Sequence, residues 1–178
     1  MVKYNKDTVQ DLRCIMNKTA IKNFAVAARL MLIESVTQRA YEYEVTENGS
    51  NDPDQTEAGG HVLTPSERSG RRQLIERIRQ NGFAQTMEEA AYTWFNRFIA
   101  LRFMEVNGYL PARIRVFTDD SGAFRPEILS EAVQLNLEGI DHELVLDLLD
   151  AQQNEQLYKY LLITQCNALN ASLPEMFE

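Results

Sequence analysis

The sequence predicts a mostly all-α protein, a multi-helix bundle around one buried central helix at about 86–107, with one or two short extended segments. Three observations predict it. Apolar residues recur at helical spacing in several long stretches, each bounded by capping residues, Gly or Pro. Only two short stretches alternate as strands do, and no repeat runs through the chain. One stretch, TMEEAAYTWFNRFIALRFMEVNG, carries Tyr92, Trp94, Phe95, Phe98, Ile99, Leu101, Phe103, Met104 and Val106 at nearly every angle of a helix, which leaves it no solvent face.

Taken in order, residues 1–16 read as an N-terminal extension, with a short helix around Thr8–Ile15 and an internal start at Met16-Asn17-Lys18. Residues 17–178 form the helical domain. Ile21, Phe24, Ala25, Ala28, Leu32, Val36, Ala40 and Tyr43 set a first long helix from Lys18 to about Tyr43. From Glu44 to Gly60 there are five carboxylates, no Lys or Arg, and almost no apolar anchor, so 44–63 is expected as a mobile acidic loop, with a brief strand at His61–Leu63. The Asp52-Pro53-Asp54 step breaks the ligand register that a calcium loop needs.

Thr64-Pro65-Ser66-Glu67 is a capping box with Pro at the first helical position, and Asn81-Gly82 closes that helix. It holds five arginines in twelve residues: Arg68, Arg71, Arg72, Arg77 and Arg79. Arginine's planar fork suits phosphate oxygens, which makes Arg68, Arg71, Arg72 and Arg79 candidate DNA phosphate contacts. Pairing with the acidic segments nearby is the other reading of the same residues, and the sequence weighs the two evenly.

The central helix is expected to begin at a second capping box, Thr86 with Glu89, and to stop at Gly108. Beyond it, Ile114–Phe117 alternates as a short strand, Asp119–Gly122 is a turn, and helices follow at Pro126–Leu135, His142–Asp150 behind the Asp141 cap, and Glu155–Ser172 before Pro174. The six carboxylates between Glu138 and Glu155, without one Lys or Arg, read as a solvated face or a surface for a basic partner. Two apolar residues, Met176 and Phe177, sit next to the last residue, which is expected of a chain cut from a longer protein.

Composition narrows the function classes. A hydrophobic fraction of 44% with 25% charged residues fits an ordinary globular domain, and no run approaches a membrane span, so no membrane partner and a cytoplasmic location are expected. A net charge of −8 argues against a general nucleic-acid coat but leaves room for a local basic stripe. Cys14 and Cys166 stand alone, and His61 and His142 sit in no motif, so neither a zinc site, a disulfide framework nor a His-based triad is expected.

Three separated motifs carry a family resemblance. Tyr92-Thr93-Trp94-Phe95-Asn96-Arg97-Phe98, followed by Ala100–Glu105 and Asn107–Leu110, resembles the start of the PglX adenine-specific DNA methyltransferases of BREX phage-exclusion systems and, more distantly, type IIG restriction-modification enzymes. Met16–Ala25 resembles the beginning of the same proteins. Leu157–Leu162, Gln165–Asn170 and Pro174–Glu178 are similar to the region where those proteins lead into their catalytic part. For a parent protein the resemblance implies methyl transfer from S-adenosylmethionine to adenine in duplex DNA, with other BREX components as partners. That chemistry uses an Asn-Pro-Pro-Tyr or Phe element and a Gly-rich loop. This chain has no adjacent prolines and no G-x-G, so no catalytic or cofactor residue is assigned here, and a catalytic domain is expected downstream.

The resemblance thus implies a non-catalytic N-terminal helical domain that contributes DNA or partner contacts and packs against the methyltransferase core. A stand-alone helical protein-interaction module is the alternative. Within the family motif, Arg102 projects between Phe95 and Phe98, and a buried guanidinium needs a partner; Glu105, one turn on, is the local candidate, with Glu127 or Glu131 as distant ones. Asn96, Arg97, Arg102 and Glu105 are therefore expected to act as a polar lock that fixes helix order, with a groove contact by Asn96 or Arg97 as the competing reading.

Overall fold

A computed structural model describes residues 17–48 and 52–177. The short helix expected around Thr8–Ile15 lies outside the described residues. The element order is α1 (Lys18–Glu42), β1 (Glu57–Ala58), β2 (His61–Val62), α2 (Pro65–Asn81), α3 (Phe83–Asn107), α4 (Glu127–Ser130), α5 (His142–Asp150), α6 (Asn154–Asn170) and α7 (Pro174–Phe177). The expected mostly all-α class is what the structure has. Its only sheet among the described residues is the antiparallel β1–β2 pair, with Glu57 opposite Val62 and Ala58 opposite His61.

Helix α3 joins two apolar cores. Near its start, Met87 meets Ala40 from the end of α1, Val45 just beyond it and Ile75 from α2. Further along, Ala100 and Leu101 lie in a larger core with Val116, Ile128, Leu135, Val145, Leu157, Leu161, Cys166 and Phe177. Helices α1, α2 and α7 all pack on α3, while α4, α5 and α7 pack on α6. The second core is the larger because the segment 110–137, helical only at α4, folds into it between α3 and α6.

Several expected boundaries shift for identifiable reasons. Helix α3 starts at Phe83, three residues before the expected Thr86 cap. The Thr86 side chain is buried and donates its hydroxyl to the carbonyl of Gly82, 2.8 Å away, so it bonds backward within the first turn rather than capping it. Gly82 is both the end of α2 and the cap position of α3. The predicted strand at Ile114–Phe117 has no partner strand among the described residues, and the N–H groups of Arg115, Val116 and Phe117 find carboxylates instead, as described below. The helix expected over Pro126–Leu135 is regular only from Glu127 to Ser130 and continues as turns to Gln134.

Helix α3 also departs from the expectation that it has no solvent face. Tyr92 is 66% exposed, Phe103 60% and Val106 62%, and with Ile99 they fall on one stripe spaced seven, eleven and fourteen residues from Tyr92. Helix α1 is barer still. Of its 25 residues only Ala40 is buried, while Phe24, Val26, Leu30 and Met31 are exposed. Helices apolar on every side are normally enclosed, and here the described residues enclose only one side of each.

The β1–β2 turn seats against the end of α1. Gly59 has φ +57°, and a Cβ built on it would stand 2.7 Å from the carbonyl oxygen of Glu42. Gly59→Ala is expected to cost about 1–3 kcal/mol, from left-handed strain and a backbone clash together, and to lower the thermal midpoint accordingly. Gly60→Ala isolates the strain from the clash, since Gly60 also has a positive φ, +81°, but its Cβ would meet nothing within 4 Å.

Candidate functional site

Helix α2 starts as its sequence dictates. Thr64 Oγ1 accepts the Glu67 N–H at 3.2 Å, and Glu67 Oε2 accepts the Thr64 N–H at 2.9 Å, a complete capping box with Pro65 at the first position. The Thr64 N–H, then the Tyr43 hydroxyl at 2.8 Å, hold the Glu67 carboxyl down at about 2. A depressed carboxylate contributes stability above its ordinary range, and that contribution is lost as pH falls towards about 2. Thr64→Ala is expected to cost about 0.5–2 kcal/mol, read by denaturant unfolding, and to weaken this acid dependence.

The arginines of α2 divide into two groups. Arg72 and Arg79 are exposed on one sector of the helix, with half-buried Arg68 on the same sector at spacings of four and seven. Arg72 pairs with Asp54 at 3.2 Å, Arg79 with Glu76 at 3.8 Å, and Arg77, on another side, approaches Glu89 at 4.0 Å. All are solvent-exposed pairs, worth little and readily exchanged for another anion. Arg71 is different. Only 3% exposed, it donates Nε to the Tyr43 carbonyl at 2.9 Å, Nη2 to Gln55 Oε1 at 3.1 Å, and Nη1 to the Asp52 carbonyl. The candidate role of Arg71 as a phosphate contact is therefore not what the geometry provides: its fork is spent on tying residues 52–55 and the end of α1 to α2.

The motif residues of α3 organise the segment that follows. Glu105 has a fully buried side chain and collects donors on both oxygens. Its Oε2 accepts the N–H groups of Val116 at 2.6 Å and Phe117 at 2.7 Å, and its Oε1 accepts the Thr118 hydroxyl at 2.8 Å and a donor from Arg102. Burial pushes this carboxyl up, but the Phe117 N–H, the Thr118 hydroxyl, the Val116 N–H and Arg102 together hold it below its ordinary range. Glu127 accepts the Arg115 N–H at 3.0 Å, and the Tyr158 hydroxyl donates to the Val116 carbonyl at 3.2 Å. Residues 115–118 are thus held by side chains, bending at Val116 and Phe117, which is why their N–H groups need no neighbouring strand.

Arg102 takes the predicted local partner, Glu105, although its own side chain is 48% exposed rather than buried. Arg97 bonds elsewhere. It donates Nη2 to the Phe177 carbonyl at 2.7 Å and lies 5.2 Å from the centre of the Trp94 ring, so it ties α7 back onto α3. Asn96 lies half-buried beside the exposed stripe of Tyr92, Ile99 and Phe103. The structure therefore brings Arg102 and Glu105 together and leaves Arg97 and Asn96 outside that cluster.

Sequence reading overlooked two features. In the Arg39–Tyr43–Glu67 chain of hydrogen bonds between α1 and α2, Tyr43 and Glu67 are too far apart in sequence to announce themselves. The exposed α3 stripe was signalled by its spacing alone.

No group of three or more His, Cys, Asp or Glu side chains is placed to hold a metal among the described residues. Burial pushes the Cys166 thiol up to about 11, which suits a packing role. Nor is any helix among the described residues long and apolar enough to cross a membrane.

Comparison with known proteins supplies what the geometry cannot. No protein-family model and no solved structure matches the chain. It is 36% identical over 187 aligned positions, covering 92% of its length, to the adenine-specific methyltransferase PglX of Lacticaseibacillus casei (strain Zhang). It is 38% identical over 111 positions, covering 61% of its length, to the adenine-specific methyltransferase BrxX of Escherichia coli O9:H4 (strain HS). The match spans only 16% of the first relative and 9% of the second. By sequence the chain is related to the PglX and BrxX adenine-specific methyltransferases of BREX systems, over nearly its whole length for the first and over about three fifths of it for the second.

Proposed function

We propose that this chain is a helical, non-catalytic domain of a BREX-type adenine-specific DNA methyltransferase, and that it acts by packing against the rest of the enzyme and by touching DNA. The observation that carries the reading is the bare apolar surface of α1 and α3 in a chain that matches only 16% of its relative. Contiguous exposed apolar surface marks a contact made with something else, and the remainder of such an enzyme is the material available to cover it. S-adenosylmethionine and the methyl transfer belong, on this reading, to that remainder. Other BREX components are further partners of the assembled enzyme in the cytoplasm.

The α2 face with Arg68, Arg72 and Arg79 is the proposed phosphate contact. Arg72 and Arg79 pair with exposed carboxylates, which DNA phosphates can replace. The polar lock is assigned to Arg102 and Glu105, with Arg97 acting separately on α7.

Binding of the purified chain to a labelled duplex across a salt series tests the contact. Binding that weakens steeply with salt, and roughly tenfold or more in Arg72→Glu/Arg79→Glu, is the expected result. No binding at low salt would leave the domain as packing material alone.

One observation favours a second reading, a helical module that binds protein. Glu138, Asp141, Glu143, Asp147, Asp150 and Glu155 are all exposed, and none forms an ion pair among the described residues. A salt-sensitive complex with a basic partner, lost when these carboxylates are neutralised, would support it.

A further inference from the structure

The exposed stripe of α3 has the spacing of a helix-packing seam. Tyr92, Ile99, Phe103 and Val106 stand bare on it, and half-buried Asn96 completes the run at positions 92, 96, 99, 103 and 106. Steps of four and three residues alternate through all five. At 3.6 residues per turn they stay within about 80° of the helix circumference. Beyond Gly108 the exposed Tyr109 ring stands 6.0 Å from that of Phe103, so the stripe ends in an aromatic pair.

A helix seated on a mixed core shows a broad apolar face. A narrow one, with alternating steps of four and three, is what one helix presents to another. Each side chain of such a stripe enters a hole between four residues of the facing element, and only a helix repeats those holes at this spacing.

Asn96 is the one polar residue of the seam. Asparagine is a weak choice for a helix interior, and among the described residues its amide forms no hydrogen bond that would offset this. Arg97 and Arg102, from the same motif, both have partners within the chain. A half-buried amide with open donors and acceptor, set among apolar side chains, points to a partner outside the chain. In helix seams a single polar residue of this kind fixes the register of the pair.

We propose that one helix of the rest of the methyltransferase lies along this seam, with apolar residues at steps of three and four and a hydrogen-bonding side chain opposite Asn96. The proposal rests on the reading of this chain as a domain of a larger enzyme, and names the kind of element that covers α3. Removal of the bare side chains from water drives the contact. Asn96 selects the alignment, because sliding the partner by one heptad sets the amide against an apolar side chain.

Photocrosslinking in the full-length protein tests this. A photoreactive phenylalanine replaces Tyr92, Ile99, Phe103 or Val106 in turn, and mass spectrometry identifies the joined peptides. The four sites are expected to crosslink into a single segment outside residues 1–178, in order along it, with neighbouring sites three or four residues apart. Asn96→Ile removes no bond inside the chain, so the thermal midpoint of the isolated chain should stay unchanged. In the full-length protein the same substitution should split the Phe103 crosslink between two sites seven residues apart. Crosslinks scattered over several segments, or a Phe103 crosslink that stays at one site in Asn96→Ile, would overturn the proposal and leave the domain reading standing. Crosslinks confined to residues 1–16 or to a second copy of the chain, or none at all four sites, would overturn both, since the rest of the enzyme would then not cover the stripe.

Discussion

Replacing Glu105 with alanine should destabilise the protein by roughly 3–5 kcal/mol, a large part of what a domain of this kind has. The carboxylate is the common acceptor for the Val116 and Phe117 N–H groups, the Thr118 hydroxyl and Arg102, of which Arg102 also reaches the Thr118 hydroxyl oxygen at 3.4 Å. Buried donors left unpaired lose the full cost of their desolvation. Urea unfolding followed by circular dichroism measures this, and the expected change is in the midpoint. Glu105→Gln separates charge from shape: it fills the same space but turns one acceptor oxygen into a donor, which faces donors. It should recover little.

The same residue sets an acid dependence. Its folded carboxyl lies below the ordinary range, so its stabilising contribution is complete above the unfolded value and is lost as pH falls through the folded one. In Glu105→Gln, stability should vary less with pH across the acid range. An unchanged pH profile would mean that the carboxylate is not the group on which these donors depend.

Arg71→Ala carries the second large effect, an expected loss of about 2–4 kcal/mol, because three acceptors from two segments converge on one buried guanidinium. Hydrogen exchange should locate the damage in residues 52–62 and the end of α1 rather than in α6. Arg72→Ala, one residue along, should change stability by no more than about 0.5 kcal/mol, since its pair with Asp54 is exposed. In the DNA assay the order reverses: Arg72 is expected to matter directly, and Arg71 only through the fold. A thermal melt and a salt titration on the two variants together separate an arginine that builds the site from one that presents it. Equal thermal midpoints for the two would remove the structural role given to Arg71.

What the sequence by itself determined is local in origin. Thr64-Pro65-Ser66-Glu67 closes its capping box within four residues, Asp141 caps α5 through the N–H groups of Glu143 and Leu144, and Gly108 takes the left-handed conformation that ends α3. Each involves groups a few residues apart, so helix ends were legible there; at Thr86 the same pattern stood, but its hydroxyl bonds back to Gly82 inside a helix that had already begun at Phe83. The three family motifs were legible for the same reason, being runs of adjacent residues. Tertiary structure decided the rest. Ile114–Phe117 alternates like a strand, yet whether its N–H groups meet another strand or the carboxylates of Glu105 and Glu127 depends on where α3 and α4 come to lie. Arg71 and Arg72 are chemically identical neighbours. A rotation of one residue along α2 points the first at the carbonyls of Tyr43 and Asp52 and the second at solvent, because only the folded chain has carbonyls on that side.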